Sequence, residues 1–248
     1  MIVQQSKGLF LNFLNLYNCN MIDLSKIFNY SPDNIAPELL EATKDYVLVP
    51  EDSFMPTDEV REKILDFVEE PATDIISFPF LTPKYCRQLV DTCEEIGQFR
   101  HRPGDEYPAP EIDLKDLSPY ANTAHIQKIE KHIVPIAASF WNFPVIWLSS
   151  AFVVKHSMDG QIGNPGWHHD GLADVSLSVQ LNDDFDDGGV YFERQKFAAG
   201  PLPVGHAILF PSRVTHRHTA LNITRGKRYS LTYWMKGDIP EDYSARTV

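Results

Sequence analysis

From Pro144 onward the chain reads as short strands divided by turns, and this narrows the available folds more than any other feature. "VIWLSSAFVVKH", "VSLSVQLN", "GVYFERQ", "GHAILFP" and "RYSLTYWM" are rich in β-branched and aromatic residues. Between them lie "DGQIGNPG", "DDFDDGG" and "AAGPLPVG", whose glycines, prolines and aspartates form turns. Short strands at such spacing predict an antiparallel sandwich or jelly roll.

Helical patterns come first. In "TDEVREKILDFVEE", Thr57 is a candidate N-cap, and Val60, Ile64, Phe67 and Val68 share one helical face. "YSPDNIAPELLEATKDY" predicts a second helix, and "DIISFPF" a short strand. In "TPKYCRQLVDTCEEIGQF", Thr82 caps, Pro83 opens the helix, and Gly97 stops it. Cys86, Leu89, Val90 and Cys93 form its apolar stripe. "ANTAHIQKIEKHIVPIAASFW" predicts a further helix with Ile126, Ile129, Ile133 and Phe140 inward and a kink at Pro135. The reading is α+β: a helical extension over 1–72, a β-rich domain over 73–240 and a tail over 241–248. No linker-like composition separates helices from strands, so both belong to one domain.

Composition removes several classes. The chain has 248 residues, 43% hydrophobic and 23% charged, which suits one globular domain of moderate size. No apolar run is long enough to span a membrane. Asparagines interrupt the first twenty residues and no small-residue cleavage site follows, which argues against a signal peptide. Three cysteines, Cys19, Cys86 and Cys93, suit reduced thiols and a cytoplasmic setting. The net charge of −12 argues against nucleic acid as a partner, because phosphate neutralisation needs a basic surface; a cationic partner suits it better.

The chemistry concentrates in "GWHHDGLADVSLSVQLN". His168 and Asp170 are two apart, so in an extended segment both point the same way while His169 points elsewhere. "RVTHRHTALN" offers His216 and His218 as a third ligand, after enough chain to run through several strands and return. Two histidines and one carboxylate on one side of a metal form the facial triad of non-haem Fe(II) oxygenases. The three positions left open accept a chelating 2-oxo acid and dioxygen. The far carboxylate of 2-oxoglutarate then needs a cation. Arg228, ten residues after His218, can supply a bidentate guanidinium, and Ser230 lies on the same strand face.

With these residues in order, the segment from Asp74 to Met235 resembles the 2-oxoglutarate/Fe(II)-dependent dioxygenases of the prolyl 4-hydroxylase type. Within them it is most similar to the catalytic domain of procollagen lysyl hydroxylases. "FPFLTPKYCRQLVDTCEEIGQF", "PEIDL", "FVVKH", "HHD", "LNDDFDDGGVYF", "PVGHAILFPSRVTHRH" and "TRGKRY" carry the likeness. It implies a double-stranded β-helix (a jelly-roll, cupin-like core) with flanking N-terminal helices, so that 73–240 is the dioxygenase domain. It implies His168, Asp170 and His218 as Fe(II) ligands and Arg228 as the 2-oxoglutarate anchor. The register selects His218 over His216, leaving His216 beside the ligands or exposed. His156 stands where the family has a tyrosine that reaches 2-oxoglutarate, and Ser178 where lysyl hydroxylases carry an asparagine.

The implied cofactors are Fe(II), 2-oxoglutarate and O2, with ascorbate as a candidate addition. The implied reaction is hydroxylation of an aliphatic carbon, first of a lysyl side chain in a peptide or protein. A prolyl residue or free amino acid is the second choice, and a non-enzymatic cupin-like metal-binding module the alternative from another class. Trp167 is a candidate wall of the substrate entrance, Gly188 and Gly189 a tight turn beside the site, and Phe192 and Phe210 core. A homodimer is left open.

Overall fold

The computed structural model describes residues 24–48, 54–101, 109–118, 120–158 and 166–237. Cys19, most of the "DGQIGNPG" turn and the tail 241–248 lie outside the described residues.

The helices are α1 (Leu24–Ile27), α2 (Pro37–Thr43), α3 (Asp58–Phe67), α4 (Pro83–Ile96), α5 (Leu114–Leu117), α6 (Ala121–Lys128) and α7 (Val134–Trp141). The strands are β1 (Glu69–Ala72), β2 (Ile75–Pro79), β3 (Glu111–Asp113), β4 (Val145–Ser157), β5 (Val175–Gln180), β6 (Phe185–Asp187), β7 (Val190–Phe192), β8 (Phe197–Ala199), β9 (His206–Pro211), β10 (His218–Ala220) and β11 (Ile223–Gly237).

The caps explain where the helices begin. The Thr57 hydroxyl accepts from the Val60 amide and the Thr82 hydroxyl from the Tyr85 amide, each satisfying a first-turn donor. Cys86, Leu89 and Cys93 of α4 are fully buried, with both cysteines as free thiols.

The helix foreseen over 121–141 is broken by a π-helical turn, Ile129–Ile133, in which the Val134 amide reaches the Ile129 carbonyl. Pro135 follows one residue later, and the wider turn accommodates a ring that would clash with the preceding carbonyls of a regular helix. This resets the buried face. Ile126 is exposed rather than inward, and His125 and Lys128 are buried with Ala121 and Ala124. Ile129 and Ile133 are inward as expected.

All strand pairings are antiparallel. The larger sheet runs β1-β2-β9-β5-β11-β4-β3, with β6 also paired to β11, and the smaller runs β10-β7-β8. These are the two faces of a double-stranded β-helix. β11 is its hub, lying between β4 and β5. Along β11 the side chains alternate. Tyr229, Leu231, Tyr233 and Met235 enter the apolar core, while Arg228, Ser230, Thr232 and Trp234 line a cavity.

The core on the helix-covered face joins Phe28, Leu39 and Ile64 with Leu209, Leu231 and Met235. Each fully buried leucine or isoleucine contributes about 1.5–3 kcal/mol before entropy is set against it. Helices and sheet therefore share one core. β1 lies within the stretch read as helical and forms a hairpin with β2.

Candidate metal and cosubstrate site

The cavity opens between the two sheets and encloses about 240 Å³. Its metal-facing part is built on backbone pairing. His168 and His218 exchange amide-to-carbonyl hydrogen bonds of 3.0 and 2.9 Å, an isolated bridge that sets two segments far apart in sequence side by side. Their rings then lie 4.4 Å apart, centre to centre.

His168 Nδ1 is 2.8 Å from the Gly166 carbonyl oxygen, and His218 Nδ1 is 2.9 Å from that of His216. A carbonyl only accepts, so each Nδ1 carries a proton and each Nε2 presents its lone pair. Asp170 completes the set. Its Oδ1 lies 3.6 Å from His168 Nε2 and 3.8 Å from His218 Nε2, while the Ser176 hydroxyl donates to Oδ2 at 2.6 Å. Ser176 is itself 2.8 Å from the Ser212 hydroxyl.

One oxygen of Asp170 is thereby held from behind and the other faces the two imidazoles. The ligand atoms of His168, Asp170 and His218 all lie within 4.8 Å of one another, close enough to share one ion. Two neutral imidazoles and one carboxylate, each steadied by a further hydrogen bond, suit a divalent transition metal with open positions.

His218 is packed between Phe192 and Phe210, with ring centres at 5.6 and 5.2 Å. Burial lowers its pKa against the opposing pull of Asp170, which favours the neutral ligand form. The two phenylalanines are core, as expected, and also wall a ligand. His216 is fully buried rather than exposed. Its Nε2 is 3.2 Å from the Thr73 carbonyl and its Nδ1 2.8 Å from the Thr215 hydroxyl, so its ring ties the strand to the β1–β2 turn. Only its carbonyl serves the site.

The cosubstrate-facing part is carried by β4, β5 and β11. Arg228, only 4% exposed, stands directly opposite His156 across the β4–β11 ladder. The Arg228 Nε–H donates to Gln180 Oε1 at 3.2 Å, and Gln180 donates from its Nε2 to the Asn182 carbonyl at 2.7 Å. Gln180 thus aims the guanidinium. Desolvation, and then the nearby Arg228 charge, push the His156 pKa down to about 3. This imidazole is neutral, and Arg228 is the fixed cation of this wall.

Ser230 is buried in the same wall. Ser178 lines the cavity opposite Thr232, two pairs along from the Ser230–Gln180 pair and so on the same face. Gly188 and Gly189 form the expected turn at φ +86° and +107°, and a Cβ on Gly188 would lie 3.4 Å from Arg228 Cδ. Trp167 lines the mouth, packed edge-on against Tyr191 at 5.9 Å and under Arg217 at 5.4 Å.

Ser176, Ser212 and Gln180 escaped sequence reasoning. Their period-two placement on the cavity face of β5 marks Ser176 and Gln180, but nothing local names their partners.

The multifunctional procollagen lysine hydroxylase and glycosyltransferase LH3 of Rattus norvegicus is 29% identical over 247 residues, covering 92% of this chain. The procollagen lysyl hydroxylase and glycosyltransferase of Acanthamoeba polyphaga mimivirus is 28% identical over 175 residues, covering 65% of this chain. The chain is a homologue of the procollagen lysyl hydroxylases. It spans 32% and 19% of the lengths of these two lysyl hydroxylases. No family model matches the sequence.

The fold is also that of a Pseudomonas putida prolyl-4-hydroxylase, with a TM-score of 0.50 at 16% identity over 65% of this chain and 92% of that one. A 2OG-Fe(II) oxygenase-family oxidoreductase from Burkholderia pseudomallei also reaches 0.50, at 15% identity over 65% of this chain and 84% of that one.

Proposed function

We propose that the chain is a dioxygenase dependent on Fe(II) and 2-oxoglutarate that hydroxylates an aliphatic carbon of a lysyl side chain in a peptide or protein. The observation that carries this is one cavity holding both a two-histidine, one-carboxylate cluster and a buried, aimed arginine. A metal-binding module has no need of the second. His216, the extra imidazole a closed zinc site would use, is turned to the Thr73 carbonyl.

Fe(II), 2-oxoglutarate and dioxygen together supply the oxidation: one oxygen atom enters the C–H bond as hydroxyl, the other enters succinate, and CO2 leaves. The protein's residues do the rest. His168, Asp170 and His218 would hold the metal from one side and leave the other open. Arg228 would pair with the far carboxylate of 2-oxoglutarate, and Ser230 would donate to it. His156, neutral, stands beside Arg228 in this wall without adding charge. Phe192, Phe210 and Val190 keep water from the ligands.

The names of the relatives support a lysyl substrate, as does the net charge of −12, which draws cations. The buried free thiols of Cys86 and Cys93 support a reducing, cytoplasmic setting.

The test is anaerobic addition of Fe(II) and then 2-oxoglutarate to the metal-free protein, followed by the visible charge-transfer band of a chelated 2-oxo acid. Wild type gives the band, His218→Ala abolishes it, and Arg228→Ala weakens 2-oxoglutarate binding by roughly 10–100-fold. Succinate release against lysyl, prolyl and free amino-acid probes then separates the substrate classes. Absence of the band with tight zinc retained would overturn the proposal in favour of a cupin-like metal-binding module.

A further inference from the structure

The cavity is too small to admit a polypeptide. Its volume of about 240 Å³ must take 2-oxoglutarate and one substrate side chain, so the substrate's main chain has to lie outside, across the lip. What the lip offers therefore decides how a polypeptide is held. Among the described lining residues, the exposed large apolar side chain is Trp167, at 37%.

Its place follows from strand pairing. His168 is bridged to His218, and His218 pairs with Phe192 of β7. One step along, Trp167 falls beside Thr219, which pairs with Tyr191. Successive side chains of an extended chain point to opposite faces. The row of His168, His218 and Phe192 turns inward, so the row of Trp167, Thr219 and Tyr191 turns outward. The ring contact agrees, for Trp167 meets Tyr191 edge-on at 5.9 Å. The Arg217 guanidinium lies 5.4 Å from the indole centre, within reach of a cation–π attraction. Glu193 holds Arg217 in turn, by an ion pair of 2.8 Å and an amide-to-carbonyl bond of 3.0 Å.

The indole is thus braced from two sides, one residue away from a metal ligand, and still exposed. Among the described residues no hydrogen bond engages its N–H. An indole N–H only donates, and a main-chain carbonyl only accepts. The flat ring also gives a peptide unit an apolar surface to lie on.

We infer that Trp167 is a specificity-determining residue that carries the substrate's main chain beside the reacting side chain, and so selects a polypeptide over a free amino acid. The inference rests on the oxygenase reading and narrows its substrate class. A free amino acid can place its side chain in the cavity but has no flanking peptide units to lay across the indole. Arg217 and Glu193 are positioning residues here, since they hold the ring and leave its remaining surface open.

The experiment titrates two probes into the anaerobic protein loaded with Fe(II) and 2-oxoglutarate, read by calorimetry. The probes are the blocked pentapeptide acetyl-Gly-Gly-Lys-Gly-Gly-amide and free lysine. Wild type binds the pentapeptide more tightly. Trp167→Ala weakens the pentapeptide by roughly 10–100-fold and leaves free lysine unchanged, as truncation of a tryptophan anchor does at a contact of this kind. Trp167→Phe, which keeps an aromatic surface and loses the N–H, recovers part of the loss. A parallel 2-oxoglutarate titration of Trp167→Ala, followed by the visible band, checks that His168 next to it is undisturbed.

Three results overturn the inference: a wild type that binds the pentapeptide no better than free lysine, a Trp167→Ala protein that keeps the preference, or a shift in 2-oxoglutarate affinity as large as the shift for the pentapeptide. The last would make Trp167 a support for the metal ligand. Failure of wild type to form the band at all would sink the oxygenase reading itself, a separate outcome.

Discussion

Removing the Ser176 hydroxyl takes away the donor that holds Asp170 Oδ2 and leaves the carboxylate free to rotate. Ser176→Ala should therefore weaken Fe(II) binding by roughly 10–100-fold, as measured by metal titration, with the unfolding midpoint little changed. A drop in folding stability of the same size as the loss in metal affinity would show that Ser176 serves the sheet instead. The ligand residues and their fixers differ in how far the sequence reveals them. His168 and Asp170 lie two apart in an extended segment, so period and residue type mark them, whereas His218 is told from His216 only by the register of the family resemblance. Ser176 and Gln180 are common residues on a common strand. Their roles arise from pairing with Asp170 and Arg228, which sequence distance conceals. The burial of His216 was hidden likewise, because its partner Thr73 lies across the fold.

The turn between β6 and β7 depends on backbone that only glycine adopts easily. Gly188 has φ +86°, and a Cβ there would meet Ile223 Cγ2 at 2.9 Å as well as the stem of Arg228. Gly188→Ala should lower stability by about 1–3 kcal/mol in denaturant titration and also weaken 2-oxoglutarate binding. Loss of stability alone would separate this turn from the site. Lys128, the last residue of α6 before the π turn, faces inward, its Nζ 5.0 Å from the centre of the Tyr85 ring, and burial pushes its pKa down to about 8. The unfolded chain holds this proton up to about pH 10.5, so between these values the unfolded state binds more protons, and this residue destabilises the fold as pH falls. Lys128→Met should be more stable than wild type by about 1–3 kcal/mol at pH 7, and the gap should close as pH rises from 8 to 10.5. A gap independent of pH would mean that packing, not charge, sets the difference. Apolar periodicity alone placed Ile126 inward here, because a single wide turn, invisible to a 3.6-residue pattern, exchanges the faces.

Across the whole molecule, three histidines away from the metal cluster, His125 and His132 buried and His156 half-buried, share one bias. Desolvation holds His125 well below the ordinary imidazole value of 6.5, and brings His132 to about 4 and His156 to about 3. His132 donates from Nδ1 to the Thr43 hydroxyl, whose own proton is given to the Leu39 carbonyl, and Tyr30 lies at its Nε2. It is thus satisfied as a neutral ring. All three protonate more readily unfolded than folded, so their contribution is complete above pH 6.5 and is lost as pH falls toward 3. Urea titrations from pH 8 to pH 4 should show stability declining below about 6.5. A flat profile would contradict neutral burial.

At this scale the strand and turn pattern foretold the jelly roll, but not its wiring. The insertion of β11 between β4 and β5 is a long-range pairing that no window of sequence displays. It also bears on how such a chain comes off the ribosome. β11 follows every other described strand, so until it emerges, β2-β9-β5 and β4-β3 are separate ribbons, each with a bare edge ready to pair with a neighbouring nascent chain. A ribosome stalled before Ile223 would hold all three metal ligands but neither a joined sheet nor Arg228, making the last strand both the seam of the fold and the moment at which the cavity comes into being.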